Sequence, residues 1–178
     1  ASVYRTIGLS KKAIESLNKG FEINKVLKDS IQESFLYSTL ATLQSDLGNP
    51  DLAVKYGLKA LELVKRRKDY QNEASIRNNL GMNYRSGGHL RQAFNHYQEA
   101  IKLYSIMEDS LSMAIVYNNL ANVCMTNNQI DLGLQSSSRA LNIAQKEGDT
   151  VLMYNSLLTM ADAYSKMKDF ALALKYAN

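Results

Sequence analysis

The sequence repeats with a period of forty residues, and this feature constrains the fold more than any other. The same residue types recur at equivalent positions along the whole chain, with no insertion or deletion. The clearest columns are Leu40, Leu80, Leu120 and Met160; Ala41, Gly81, Ala121 and Ala161; and Asp29, Asp69, Asp109 and Asp149. A regular period of this length indicates a linear array of similar units, each packed against its neighbours.

Each forty-residue unit is predicted to contain two α-helices. Apolar residues recur three and four positions apart in both halves of a unit, as in Leu36, Leu40 and Leu43. Helix breakers separate the halves, namely the Gly-Asn-Pro sequence at 48–50 and the glycine pair at 87–88. Nine glycines and one proline are too few for the many turns of an all-β fold, so the predicted fold class is all-α.

Several helix starts are also predicted. Asn49 suits an N-cap, and Pro50 suits the first helical position. The aspartate column lies at the unit boundaries, where a carboxylate meets the positive end of a helix dipole, so these residues are predicted to cap the first helix of each unit. Ser30 and Glu33 are predicted to form a capping box.

One window of the chain matches a known family motif. Residues 77–101 read RNNLGMNYRSGGHLRQAFNHYQEAI and resemble a tetratricopeptide repeat. The motif residues are Leu80, Gly81, Tyr84, Gly88, Ala93, Tyr97 and Ala100. The resemblance covers the whole chain. It implies a right-handed α-solenoid of stacked antiparallel helix hairpins, in which the first helix of each hairpin lines an inner groove. It names no particular partner, because one scaffold serves many functions.

The register describes the whole chain as a single array. It contains a partial unit at 1–28, full units at 29–68, 69–108 and 109–148, and a truncated unit at 149–178. Since Ala1 aligns with Ala41, the chain is expected to begin near the end of a first helix, and the parent protein is expected to continue beyond residue 178. Long units of this kind resemble those of Rap-type bacterial peptide sensors, kinesin light chains and mitotic-spindle adaptors. They also resemble repeats that precede histidine kinases or DNA-binding domains in bacterial regulators.

Small residues are predicted to let the two helices of a hairpin approach closely. Ala41 would pair with Ala53, and Gly81 with Ala93, because a large residue there would overpack the contact. Cys124 occupies a tyrosine column and is expected to be buried and unreactive. The serines at 136–138 stand where other units carry aromatic residues, which predicts a poorly filled contact and makes unit 109–148 the softest.

No constellation of residues indicates catalysis. His89 and His96 lack zinc-ligand spacing, and the sequence has no phosphate-binding glycine loop. The chain is therefore expected to be no enzyme and to use no metal or cofactor. The basic run at 65–68 is interpreted as a solvated helix end rather than a nucleic-acid site. No apolar run reaches membrane-spanning length, so no membrane contact is expected. A single cysteine favours the cytoplasm, with the periplasm as the alternative if a signal was removed.

Polar residues of the first helices are predicted to form the binding groove. Residues four and seven apart share a helix face, and the family resemblance implies which face turns inward. The implied groove residues are Ser38, Thr42, Ser45, Asn78, Met82, Arg85, Asn118, Asn122, Met125, Leu158, Asp162 and Ser165, with Asn79 and Asn119 beside them. Asparagine matches the donor and acceptor of a peptide backbone, and methionine adapts to apolar groups. Arg77 and Arg85 would select an acidic group.

The adjacent asparagines at 78–79 and 118–119 are poor helix formers, so local propensity does not explain them. One interpretation is a ladder that binds the main chain of a ligand. The other is a set of hydrogen bonds that bridge neighbouring hairpins. The sequence leaves both open, and a ligand-binding ladder would centre the ligand on the middle of the chain.

The predicted function is therefore a protein- or peptide-binding module. The resemblance favours the sensing or docking domain of a bacterial regulatory protein, which binds an extended or helical segment in its concave groove. The alternative is a passive assembly scaffold or adaptor with no regulatory switch.

Overall fold

The computed structural model describes residues 2–177, with side chains from residue 11 onward, as a row of α-helices. Each helix packs against the next along the chain, and short turns join them. The nine helices of the described residues are α1 (Ser2–Leu27), α2 (Ser30–Asp46), α3 (Pro50–Arg66), α4 (Tyr70–Ser86), α5 (Leu90–Ile106), α6 (Ser110–Thr126), α7 (Ile130–Glu147), α8 (Thr150–Lys166) and α9 (Phe170–Ala177). The all-α array of sequential hairpins is confirmed.

The first helix differs from its expected form. The register predicted that the chain would begin near the end of one helix, yet the backbone is a single helix from Ser2 to Leu27. Its later part packs on α2: a Cβ added to Gly20 would lie 2.8 Å from Leu36 Cδ2. Ala60 and Ile76, the residues forty positions later, share a core cluster between α3 and α4. The later part of α1 therefore holds the place of a second helix.

All eight turns between helices share one backbone feature that the sequence motif did not reveal. In each turn, one residue has a left-handed φ between 53° and 78°. These residues recur every twenty positions as Lys28, Gly48, Lys68, Gly88, Glu108, Asn128, Gly148 and Lys168. Glycine adopts this conformation freely, whereas other L-residues do so at a cost of roughly 1–2 kcal/mol. Turns within hairpins and turns between hairpins thus share a left-handed residue at the equivalent position.

Replacing Gly88 by alanine should lower the free energy of unfolding by about 1–2 kcal/mol. Alanine would have to keep the left-handed backbone, although no atom lies within 4 Å of the added methyl group. The control is Gly87→Ala, because Gly87 has an ordinary φ of −81° and its added Cβ would meet no atom closer than Cδ2 of the exposed His89, at 3.3 Å. Chemical denaturation measures both variants, and equal stability of the two would contradict the prediction.

The aspartate column caps the helices, as the sequence predicted. Oδ1 of Asp69, Asp109 and Asp149 accepts a hydrogen bond from the backbone N–H three residues later, at 2.9–3.2 Å. Oδ1 of Asp29 accepts from the N–H of Ile31 at 2.7 Å. These bonds satisfy amide groups that have no partner within their own helix.

One of the other predicted caps is wrong, and one is confirmed. α2 begins at Ser30 with Asp29 as its N-cap, so the capping box of Ser30 and Glu33 does not form. Asn49 is the N-cap of α3 and Pro50 its first residue, as predicted, although the Asn49 side chain makes no cap hydrogen bond. Its amide Nδ2 instead donates to Gln44 Oε1 at 3.1 Å.

Close approach of the two hairpin helices is confirmed at Gly81. A Cβ added to Gly81 would lie 2.5 Å from Cε1 of Tyr97, whose side chain is fully buried. Tyr97 is thus the residue that leaves no room for a side chain at position 81, and it lies one turn beyond the predicted partner Ala93. Burial also raises the pKa of the Tyr97 hydroxyl to about 12.

Serine takes the place of this tyrosine in the next unit. Ser137 is fully buried, and its hydroxyl donates to Gly133 O at 3.0 Å. The Ser136 hydroxyl donates to Leu132 O at 2.8 Å. Both bonds stay within α7, so the serines contribute little apolar contact to α6.

Hydrogen exchange should therefore be faster in α7 than in α5. Amide protection follows the stability of local packing, and α5 buries Tyr97 and Tyr104 where α7 buries small residues. Native-state exchange should show lower protection at residues 130–147 than at 90–107. Higher protection at 130–147 would contradict the expectation that unit 109–148 is the softest.

Cys124 and the two histidines occupy the expected environments. Cys124 is buried, and burial raises the pKa of its thiol to about 11. The ring of His96 stacks on Tyr84 at a centroid distance of 5.2 Å. Burial, together with the nearby Arg77 guanidinium, lowers the pKa of His96. His89 is exposed at the start of α5.

The basic run at 65–68 is only partly a solvated helix end. Lys65, Arg66 and Lys68 are exposed, as predicted. The guanidinium of Arg67 instead donates to Ser30 O at 2.7 Å and to Asp69 Oδ2 at 3.3 Å. Arg67 thus ties the turn after α3 to the start of α2.

Candidate partner-binding groove

The first helices of the hairpins, α2, α4, α6 and α8, contact one another in order and form one continuous surface, here called the first-helix wall. Three open cavities lie along it. The α1–α2 groove has a volume of about 570 Å³, the α2–α4 pocket about 130 Å³, and the α6–α8 notch about 300 Å³. Concave sites of this size suit side chains and main-chain segments of a partner.

The structure brings most of the predicted groove residues to these cavities. Ser38 lines the α1–α2 groove, and Thr42 lines both that groove and the α2–α4 pocket. Ser45, Asn79 and Met82 complete the predicted part of the α2–α4 pocket. The predicted residues at the α6–α8 notch are Asn118, Asn119, Asn122 and Leu158.

The asparagine pairs connect neighbouring hairpins. Nδ2 of Asn119 on α6 donates to Oδ1 of Asn78 on α4 at 3.0 Å, in a partly buried setting. For this pair the structure shows the bridging interpretation. Asn78 Oδ1 thus uses one of its two acceptor positions for Asn119 rather than for a ligand.

Asn118 differs from Asn78. Its side chain is only 7% exposed, and its Oδ1 is buried with no hydrogen-bond partner among the described residues. Leaving a buried amide oxygen unpaired destabilises a fold by about 1–3 kcal/mol. Asn24 Oδ1, His96 Nδ1 and Tyr97 Oη share this condition, but Asn118 alone among these four lies on the first-helix wall.

Apolar side chains flank the notch, and sequence reasoning missed one of them. Ile115 on α6 is 47% exposed, and Leu158 on α8 is 52% exposed. Phe35 occupies the position of α2 equivalent to Ile115, eighty residues earlier. It is 65% exposed at the α1–α2 groove. Phe35 and Ile115 each lie one helical turn before a predicted groove residue, so the sequence did contain an apolar residue that could have indicated this contact. Asn155 and Thr159 also line the notch and were not predicted.

Met125 does not belong to the groove. It is 5% exposed and packs on Gly133 of α7, where an added Cβ would lie 2.6 Å from its Sδ. The missing side chain of Gly133 makes room for the methionine inside the hairpin. The prediction that Met125 contacts a partner is therefore corrected.

The charged groups on the wall are few and mostly paired. Arg77 donates to Glu73 Oε1 through Nε at 2.8 Å, and both side chains are largely buried, so Arg77 is not free to select an acidic ligand. Asp162 is exposed and pairs with Lys166 at 3.2 Å. Arg85 is half-buried and, like Asp162 and Ser165, lines none of the three cavities. Asp46, which was not predicted, lines two of them.

Two further properties concern the described part of the chain. None of its helices combines the length and apolar character needed to cross a bilayer. Among the described side chains, residues 11–177, His, Cys, Asp and Glu do not gather into a group of three that could hold a metal ion. The first-helix wall is a polar surface with a few exposed apolar side chains, such as Ile115 and Leu158.

The family model for the tetratricopeptide repeat matches residues 32–105 and 112–178. This is most of the chain, and the matched segments span the hairpins from α2 to α9. The chain belongs to the tetratricopeptide repeat family.

Similar proteins come from several settings. The human outer dynein arm-docking complex subunit 4 is 25% identical over 170 residues, which cover 94% of this chain. The chain spans about a quarter of the length of that relative. Among solved structures, BtubC (BKLC) from P. vanneervenii matches with a TM-score of 0.88 and 24% identity, over 98% of this chain and 73% of that one. The apo form of RapI matches with a TM-score of 0.87 and 13% identity, over 94% of this chain and 61% of that one. The structural matches describe a shared fold.

Proposed function

We propose that the chain binds a protein segment against the first-helix wall, with the α6–α8 notch as the anchor. The observation that carries the proposal is Asn118 Oδ1, which is buried at the notch without a donor. When the Asn118 amide turns toward the notch, a main-chain N–H of the bound segment would supply that donor. Ile115 and Leu158 would contact an apolar side chain of the same segment from the two sides of the notch.

An extended segment suits this site better than a helix. The N–H groups inside a helix already donate to its own carbonyls, whereas an extended chain has free donors. The amides of Asn122 and Asn155, which line the same notch, offer further donors and acceptors to a main chain. The bound segment is therefore an extended peptide with an aliphatic or aromatic side chain at its centre.

Charge contributes little to this recognition. The notch is lined by asparagine, threonine and aliphatic side chains, none of which is charged. Screening by salt weakens contacts between exposed charges but leaves apolar contacts and neutral hydrogen bonds in place. Affinity should thus change little between low and high ionic strength.

Selection from a displayed library of short random peptides tests the proposal. Peptides enriched on the chain should carry an apolar residue and should bind Leu158→Asp roughly tenfold or more weakly, because a carboxylate would replace the apolar contact. The matched control is Leu174→Asp, since Leu174 on α9 is similarly exposed at 63% but lies off the wall. Peptides that bind both variants as well as the original chain would contradict the proposal.

We infer that the module serves as the sensing or docking domain of a regulatory protein of bacterial type. The inference draws on the long forty-residue units, which resemble those of Rap-type peptide sensors. In such a role, ligand binding must change the array beyond the residues that touch the ligand. Hydrogen exchange should then show altered protection at α2 and α3, far from the notch, when a selected peptide binds.

A passive docking scaffold is the second candidate. It is favoured by the human relative, whose name places it in a docking complex. In this case the same exchange experiment should show altered protection only at α6 and α8, where the peptide lies. The two candidates share the notch and differ in whether its occupation is transmitted along the array.

A further inference from the structure

A pocket between the second helices α5 and α7 lies away from the first-helix wall. This α5–α7 pocket has a volume of about 310 Å³, and α6 forms its floor with Tyr117 and Leu120. Phe94 and Ile101 of α5 and Leu132 of α7 line its sides, so an apolar group can be buried there. Each of the three helices packs between two others along the chain. The pocket shares no lining residue with the three cavities of the first-helix wall.

The pocket contains a serine where the other three hairpins of the described residues carry an aromatic ring. The residues equivalent to Ser136 in those hairpins are Tyr56, His96 and Tyr176. Each of these rings stacks on a tyrosine of its own hairpin, at centroid distances of 5.2–6.3 Å. Ser136 instead donates its hydroxyl to Leu132 O within α7 and lines the pocket. Replacement of a ring by a serine therefore leaves ring-sized space in this hairpin.

Tyr117, on the floor of the pocket, keeps only part of the environment of its equivalent. Tyr37, forty residues before position 77 and eighty before Tyr117, stacks on Tyr56 with the ring planes 16° apart. Lys59 Nζ also lies 4.9 Å from the centroid of the Tyr37 ring. Arg139, the equivalent of Lys59, lies 5.5 Å from the Tyr117 centroid and donates from Nη1 to Tyr117 Oη at 3.2 Å. Tyr117 thus has the cation but not the second ring.

The charged residues that line the pocket are both cationic, namely Lys102 and Arg139. Lys102 Nζ pairs with Glu99 Oε1 at 2.6 Å. Arg139 is exposed and forms no ion pair with a carboxylate among the described residues. A guanidinium that rests on a ring still has N–H groups free to donate to a carboxylate.

We propose that the α5–α7 pocket binds a segment of a partner protein that inserts an aromatic side chain against Tyr117. A carboxylate next to that side chain in the segment pairs with Arg139. The inserted ring takes the place that Tyr56 has beside Tyr37, and stacking of this kind adds to the gain from burying the ring. This site does not rest on the α6–α8 notch. Its affinity should fall as ionic strength rises, because one of its two contacts is an exposed ion pair.

Selection from a displayed library of random peptides, with a competitor, tests the proposal. The competitor is soluble Ser136→Tyr chain in excess, in which a tyrosine at position 136 supplies the missing ring and closes the pocket. Peptides that survive this competition need the open pocket. They should carry tryptophan, tyrosine or phenylalanine next to aspartate or glutamate. Recovery of no such peptide, or of peptides without this pair, would overturn the proposal.

Titration of a selected peptide with tryptophan at its aromatic position measures the site directly, because the chain itself contains no tryptophan. The tryptophan emission should shift to shorter wavelength as the ring leaves water. Ser136→Tyr and Arg139→Glu should each weaken binding roughly tenfold or more. Undiminished binding to either variant would overturn the proposal.

Two control variants separate this site from other surfaces. Gln145→Tyr adds the same side chain at an exposed position of α7 outside the pocket, and it should leave binding unchanged. Asn118→Ala, which alters the α6–α8 notch, should also leave binding unchanged. Loss of binding in Asn118→Ala would place the peptide at the notch and would overturn the proposal for the α5–α7 pocket.

Discussion

Replacing Tyr97 by alanine should lower the free energy of unfolding by about 3–5 kcal/mol, the range for large-to-small changes at buried aromatic residues. Tyr97 is fully buried in the largest core cluster of the described residues, beside Ala93, Leu120 and Cys124. Its hydroxyl has no partner there. Tyr97→Phe should therefore keep or raise stability, because it retains the ring and removes the unpaired group.

A double-mutant cycle with Gly81 sharpens this prediction. In the original chain, Gly81→Ala should lower stability by about 1–3 kcal/mol, because its methyl group would lie 2.5 Å from the Tyr97 ring. In the Tyr97→Ala background, the same change should raise stability by up to about 1 kcal/mol, because alanine is the better helix former. Denaturant titration of the four proteins measures the coupling, and additive effects would contradict the contact.

Replacing Asn118 by alanine should reduce binding of a selected peptide by roughly tenfold while leaving the melting temperature unchanged or higher. The substitution removes a buried oxygen that has no donor in the free chain, and this gain offsets the packing lost with the side chain. The bound state does lose a hydrogen bond.

Asn119→Ala is the matched control and should behave in the opposite way. It removes the donor to Asn78 Oδ1 and should lower stability by about 0.5–1.5 kcal/mol. Its effect on peptide affinity should be smaller than that of Asn118→Ala. Thermal denaturation and peptide titration of both variants make the comparison. If Asn118→Ala destabilised the chain and left affinity unchanged, Asn118 would be a bridging residue like Asn119.

Features that depend on the repeat itself could be predicted from the sequence. The helix pairs, the aspartate caps and the burial of Cys124 follow from residue types that recur in register. The Gly81 contact was predicted because a small residue in a helix interior signals a close neighbour. These features repeat in each unit, so one unit informs the others.

The candidate site was harder to predict because it depends on contacts between residues that do not occupy equivalent positions of the units. The hydrogen bond between Asn78 and Asn119 joins residues forty-one positions apart. An alignment of the units pairs residues forty positions apart and therefore does not bring these two together. Met125 is buried inside its hairpin and not on the first-helix wall, because Gly133 on another helix provides space for it. The different availability of Asn78 and Asn118, which occupy the same column, could not be read from their shared residue type.

The left-handed residue that recurs every twenty positions has a mechanical consequence. Because each of the eight joints contains a left-handed residue at the equivalent position, this feature sets no joint apart as a hinge. Bending or stretching of the array should be distributed over the joints and not concentrated at one boundary between units. The spacing between distant points on the first-helix wall can then change gradually while each hairpin keeps its own packing.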